Sequence, residues 1–189
     1  MGYVAAGSLG VDFSSARPSI PSLQRARAAF VSRYYKLSAT NGYNLTPAEA
    51  ELYLAAGIGI DGNAENDTDD LIQDEATTTA RARIFVARAK ACGQPAGTPL
   101  TFSHDRAPVD SDRALVMRNL KICFNVAHGE GGYTDATYGG LKMMQWCDDE
   151  GIANALRWQS FGWSTVLGSS EANAVANAQR RYQIGRAHV

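Results

Sequence analysis

Short β-prone runs alternate with helical stretches along this chain, and that alternation restricts the fold more than any other feature. Strand-like runs fall at residues 9–13, 29–35, 58–61, 100–102, 135–138 and 155–159. Helical patterns follow at 21–28, 47–56, 74–92, 112–128, 141–150 and 171–182. The second of these has the clearest signals: Thr46 as N-cap, Pro47 at the first helical position, Glu49 completing a capping box, and Gly57 as the stop. A strand followed by a helix, repeated six times, predicts parallel β/α units, because the helix carries the chain back to start the next strand in the same direction.

Both a doubly wound sheet and a (β/α)8 TIM barrel satisfy that order. A dinucleotide-binding sheet calls for a G-x-G-x-x-G turn after the first strand, and the chain has none. The strand ends instead carry acids and aromatics: Asp12, Arg33 with Tyr35, Glu65, Asp105, Tyr138, and Trp158 with Gln159. Barrel enzymes place their chemistry at the C-terminal ends of strands. The predicted fold class is therefore α/β, TIM-barrel-like.

With 189 residues, 45% hydrophobic and 20% charged, the chain suffices for one domain with a sizeable core. A net charge of −1 provides no electrostatic footprint for nucleic acid or an anionic membrane. No apolar run approaches the roughly 20 residues that span a bilayer, and the first residues lack the basic start and apolar stretch of a signal peptide. Cys92, Cys123 and Cys147 are odd in number and far apart, with no metal-ligand spacing, so neither a disulfide framework, a zinc site nor a catalytic thiol is predicted. No cofactor or metal is expected. The acidic loop of Asp67, Asp69 and Asp70 reads as a solvated surface.

The segments GVDFSS, FVSRYY, LTPAEAELYLAAGI, GQPAGTPLTFSHD, TYGG and WQSFGWS occur in this order over residues 10–164. Together they resemble the glycoside hydrolase-like TIM-barrel domain of bacteria and phages, long classed as a domain of unknown function and distantly related to the family 25 lysozymes. The resemblance implies an acid at the end of the first strand, here Asp12. It also implies an Asn-x-Glu element on the third, here Asn63-Ala64-Glu65, and an acid ending the fourth, here Asp105. His104 departs from the pattern, which has Val before that last acid.

Glycoside hydrolysis needs two carboxyl groups, about 5 Å apart for retention and about 6.5–9.5 Å for inversion. Asp12, Glu65 and Asp105 are the candidate catalytic residues. Glu65 or Asp105, whichever is less solvated, would be the acid, with Asp12 as base, nucleophile or electrostatic stabiliser. Tyr35 and Trp163 are candidate platforms for sugar faces, and Arg33 and Gln159 candidate partners for hydroxyls. Tyr138 reads equally as packing or binding, Trp158 as a barrel-facing residue, and His104 as a core or neighbouring residue. The expected ligand is a bacterial cell-wall polysaccharide, plausibly peptidoglycan, which would put the protein at the cell envelope, outside the cell, or on a host wall if phage-encoded. A glycan-binding barrel without turnover, or a phage or envelope structural component, are the alternatives.

A TIM barrel has eight strands and about 250 residues, against six strands read here. The final IGRAHV, residues 184–189, matches a translated sequencing-adapter stretch. The expectation is a barrel domain over residues 1–183, lacking its last two β/α units, followed by a non-native tail.

Overall fold

The computed structural model describes residues 8–152 and 156–159. The predicted helix at 171–182, Trp163 and the tail at 184–189 lie outside the described residues. Six strands form one parallel sheet in strict chain order: β1 (Gly10–Asp12), β2 (Phe30–Tyr35), β3 (Gly59–Ala64), β4 (Pro99–His104), β5 (Thr134–Gly139) and β6 (Leu156–Gln159). A doubly wound sheet reverses its strand order at a switch point. This sheet does not, and it curls into a half-barrel with helices between its strands. The helices are α1 (Ile20–Arg25), α2 (Pro47–Ala55), α3 (Glu75–Ala91), α4 (Arg113–Val126) and α5 (Leu141–Asp149). Among the described residues no helix is long and apolar enough to cross a membrane.

Local chemistry sets most of the boundaries. Thr46 Oγ1 accepts from Glu49 N at 3.2 Å to start α2, and Gly57 leaves it with φ +76°. Asp74 caps α3 through Thr77 N and Thr77 Oγ1, at 2.9 and 2.6 Å. Helix α1 starts and stops earlier than its predicted span of 21–28. Ser19 caps it through Ser22 N, and Arg27 turns the chain with φ 54°, which no helix tolerates. Helix α4 likewise ends at Val126, and a π-helical turn (Ala127–Gly131) replaces its predicted last residues.

Strand β3 runs three residues past its predicted end at Asp61, to Ala64. Gly62 and Asn63 weaken it by propensity, but β2 and β4 pair with it on either side and supply the ladder. Glycine is required at 62, because a Cβ there would stand 2.6 Å from both the Tyr35 ring and Gln94 Oε1.

Each strand divides its side chains between two surroundings. Val31, Tyr35, Leu100 and Phe102 belong to the core beneath the helices. Phe102 takes Phe85 of α3 and Phe124 of α4 edge-to-face, with centroids 6.5 and 6.0 Å apart. The alternate residues, Ser32, Tyr34, Asp61, Asn63, Thr101 and Ser103, hydrogen-bond one another or Asp12 across the inner face. Phe102→Ala would leave a cavity at the junction of the sheet with two helices and is expected to lose about 3–5 kcal/mol of stability, read from urea unfolding followed by circular dichroism.

Candidate functional site

Because the strands are parallel, all their C-terminal ends reach one rim. Asp12 ends β1, Glu65 directly follows β3, and Asp105 directly follows β4. Adjacent strands lie about 4.8 Å apart, so Glu65 and Asp105 sit on neighbouring walls of one mouth. The structure thus brings the three predicted acids to a single rim.

Hydroxyls from adjacent strands orient two of these carboxyls. Tyr34 Oη donates to Asp12 Oδ2 at 3.0 Å, and Tyr138 Oη donates to Asp105 Oδ1 at 3.3 Å. Tyr138 also meets Trp158 edge-to-face at 5.4 Å, so it both packs and lines the mouth. Asn63 accepts from Ser103 Oγ at 2.7 Å and donates through Nδ2 to Glu65 Oε2 at 3.4 Å. Lys36 Nζ stands 3.6 Å from Glu65 Oε1 and 4.7 Å from the centre of the Tyr34 ring.

Glu65 is 9% exposed. Burial pushes its carboxyl up to about 7; Lys36 pulls it down and the nearby Asp105 pushes it up. Deeper in the barrel, Asp61 accepts from Ser32 Oγ and Thr101 Oγ1, both at 2.9 Å. Asp61 is half-buried, and desolvation raises its carboxyl against the pull of the two hydroxyls. The mouth holds carboxyls in different electrostatic settings, the condition for one to give a proton while another stays ionised.

Two predicted ligand contacts are corrected by strand periodicity. Arg33 and Tyr35 occupy the alternate positions of β2 and lie behind the barrel wall. Arg33 is wholly buried, with Nε donating to Glu49 Oε1 at 2.9 Å, Nη1 to the Phe13 carbonyl and Nη2 to the Tyr43 carbonyl at 3.2 Å. Tyr35 Oη donates to Gln94 Oε1 at 3.0 Å, again on the helix side. Both are structural. Gln159 ends β6 in register with Gly139, and Trp163 lies outside the described residues.

The pair His104–Asp105 splits across the wall in the same way. His104 is buried under the helices with neither ring nitrogen hydrogen-bonded, while Asp105 meets Tyr138 at the mouth. Burial, then the Arg106 charge, lowers His104 to about 4. In the acidic loop Asp67 and Asp69 are exposed, as expected, and only Asp70 is corrected. Asp70 is buried, accepts from Asn66 N at 2.5 Å and Asp67 N at 3.3 Å, and pairs with Arg81 at 2.7 Å. It braces the turn after β3 rather than facing solvent.

Asp61 and Lys36 are absent from the sequence-based set of site residues. A signal for them exists: Ser32-x-Tyr34-x-Lys36, Asp61-x-Asn63-x-Glu65 and Thr101-x-Ser103-x-Asp105 each repeat polar residues at the period of a strand. Three adjacent strands with that pattern define a polar inner wall.

No protein-family model matches the chain, and no curated protein sequence does. Solved structures share its fold. The Tat-secreted protein Rv2525c of Mycobacterium tuberculosis, in complex with HEPES, superposes with a TM-score of 0.69 at 18% identity, over 80% of this chain and 77% of that one. An uncharacterized B. stearothermophilus protein gives 0.59 at 19% identity, over 82% and 75%. A xylose isomerase domain protein from Planctomyces limnophilus gives 0.59 at 13% identity, over 95% and 71%. Fold and similarity together define the class: a TIM-barrel-like (β/α) protein with an acidic rim.

Two titrations follow from the site. The native state holds a proton on Glu65 that the unfolded chain releases near 4.5, so Glu65 costs stability progressively as pH rises from 4.5 to about 7. Glu65→Gln is expected to gain on the wild type across that window, by on the order of 3 kcal/mol at its upper end, in thermal melts at stepped pH. For His104 the sign is opposite. The folded state excludes a proton that the unfolded chain takes up below 6.5, so stability falls as pH drops from 6.5 towards 4. His104→Phe is expected to flatten that acid limb in the same melts.

Proposed function

We propose that this protein is a glycoside hydrolase acting on bacterial cell-wall polysaccharide, with Glu65 as general acid and Asp105 as its carboxylate partner. The reading rests on one observation: Glu65 is buried beside a second carboxyl on the next strand, a setting that pushes it up to about 7. An acid of that kind transfers its proton to a glycosidic oxygen as the bond to the sugar breaks. Asp105 then either attacks the sugar or activates water, and Asp12, steadied by Tyr34, adds negative charge beside the developing oxocarbenium ion. The six ordered motifs and the TIM-barrel-like fold support the same class. His104 is compatible with it, since its ring is buried behind the wall rather than placed among the carboxyls of the rim.

Purified peptidoglycan and other envelope polysaccharides, assayed for new reducing ends, test this reading. Cleavage is expected to fall as pH rises through about 7, as Glu65 loses its proton. Glu65→Gln and Asp105→Asn are each expected to lower turnover by about 10²–10⁴-fold, with melting temperatures that show both variants folded. Polysaccharide that binds the wild type but is never cleaved would instead identify a glycan-binding barrel without turnover. Unaltered cleavage by both variants would remove these carboxyls from the mechanism.

A further inference from the structure

The cation beside Glu65 has no part in the proposed proton transfer, yet the structure fixes it from several directions. Lys36 immediately follows β2 and is 6% exposed. Its backbone N donates to Asn44 Oδ1 at 2.6 Å, and Leu37 N donates to Asn66 Oδ1 at 3.3 Å, so the backbone on both sides of its Cα is tied down. Its ammonium donates to the Asn66 carbonyl at 3.3 Å, lies over the Tyr34 ring, and reaches within 3.6 Å of Glu65 Oε1. Asn66 is itself held, its N–H bonded to Asp70 Oδ2 while Asp70 Oδ1 takes the Arg81 guanidinium of α3 at 2.7 Å.

A chain of contacts therefore runs from α3 through Arg81, Asp70 and Asn66 to Lys36, and ends at the Glu65 carboxyl. A buried ammonium is expensive to hold, and a side chain needed only for packing gains nothing from that charge. The groups facing Glu65 are otherwise acidic or neutral. Asp105 stands at the end of β4, Asp70 lies behind the β3–α3 turn, Asn63 shares its strand, and Tyr34 faces it from β2. Among the described residues Lys36 is the one cation paired with Glu65.

We propose that Lys36 is a positioning residue for Glu65: its ammonium orients the carboxyl and offsets the charge of the surrounding carboxylates. Without the cation, only neutral hydrogen-bond donors, Ser103 and Asn63, oppose burial and the neighbouring acids. Glu65 would then hold its proton well above neutrality and be poor at releasing it. With it, both halves of a proton-transfer cycle are accessible. This proposal rests on the functional reading only in treating Glu65 as the working acid.

The test reads Glu65 directly rather than turnover. In the full 189-residue chain, the carboxyl carbon of Glu65 is followed by NMR against pH, assigned by its loss in Glu65→Gln. Lys36→Met is expected to raise the titration midpoint by about one pH unit or more, the usual effect of removing an opposite charge at this range. Lys36→Arg, which restores a cation, is expected to return the midpoint towards the wild-type value. Should Lys36→Met fail to fold, Lys36→Gln keeps a polar chain of similar reach without the charge and carries the same expectation. A midpoint that is unchanged or lower in the neutral variants overturns the proposal, as does an Arg variant that titrates like the neutral ones. Absence of glycan cleavage would sink the hydrolase reading alone, because the titration needs no substrate.

Discussion

Side chains of a strand alternate between its two faces, and in a curled parallel sheet those faces meet entirely different surroundings. The outer face lies under helices and is dry; the inner face lines the barrel interior. In β2 the alternation separates Val31, Arg33 and Tyr35 from Ser32 and Tyr34, and Lys36 continues the inward series past the end of the strand. The neighbouring strands repeat it with Asp61 and Asn63, then Thr101 and Ser103. Register does the rest: with β1 to β5 paired in parallel, each inward polar group finds its partner one strand away. Shifting any of these strands by one residue would turn carboxyls into the helix layer and apolar rings into the mouth.

Carboxyl groups enclosed this way stay in the fold because each has its own donors. Asp61 takes two hydroxyls, Asp12 a tyrosine, Asp105 another tyrosine, and Glu65 an amide and an ammonium. Hydroxyl donors satisfy a carboxyl in either protonation state, whereas a nearby ammonium favours only the ionised one. Depth raises Asp61 and Glu65 most, and donor identity sets what opposes that rise in each.

The wall behind the mouth is made rigid by a buried cation of another kind. Arg33 binds Glu49 of α2 and the carbonyls of Phe13 and Tyr43, and stacks over the Phe13 ring at 4.8 Å. Glu49 also receives Tyr53 Oη at 2.8 Å and Arg17 Nε at 3.2 Å. That network joins the end of β1, the turn after β2 and the start of α2, and so fixes the loops flanking Asp12. Removing one partner would strand a desolvated charge, which makes such a pair costly to break even where forming it adds little.

The sequence by itself determined the β/α alternation, the helix starts at Thr46 and Asp74, and the acids of the rim, because caps, periodicity and strand ends are local properties of a chain. The barrel choice over a doubly wound sheet also came from residues, through the acids at strand ends and the missing glycine-rich turn. Only the tertiary structure decided on which side of the wall each polar residue stands. Arg33 reads as a ligand-binding cation until its position in β2 turns it towards Glu49, and Asp70 reads as solvated until Arg81 and the turn after β3 enclose it. Lys36 and Asp61 gain their meaning from partners 29 to 40 residues away in sequence. Burial and pairing across strands set the charge of a side chain, and neither is a property of the residue alone.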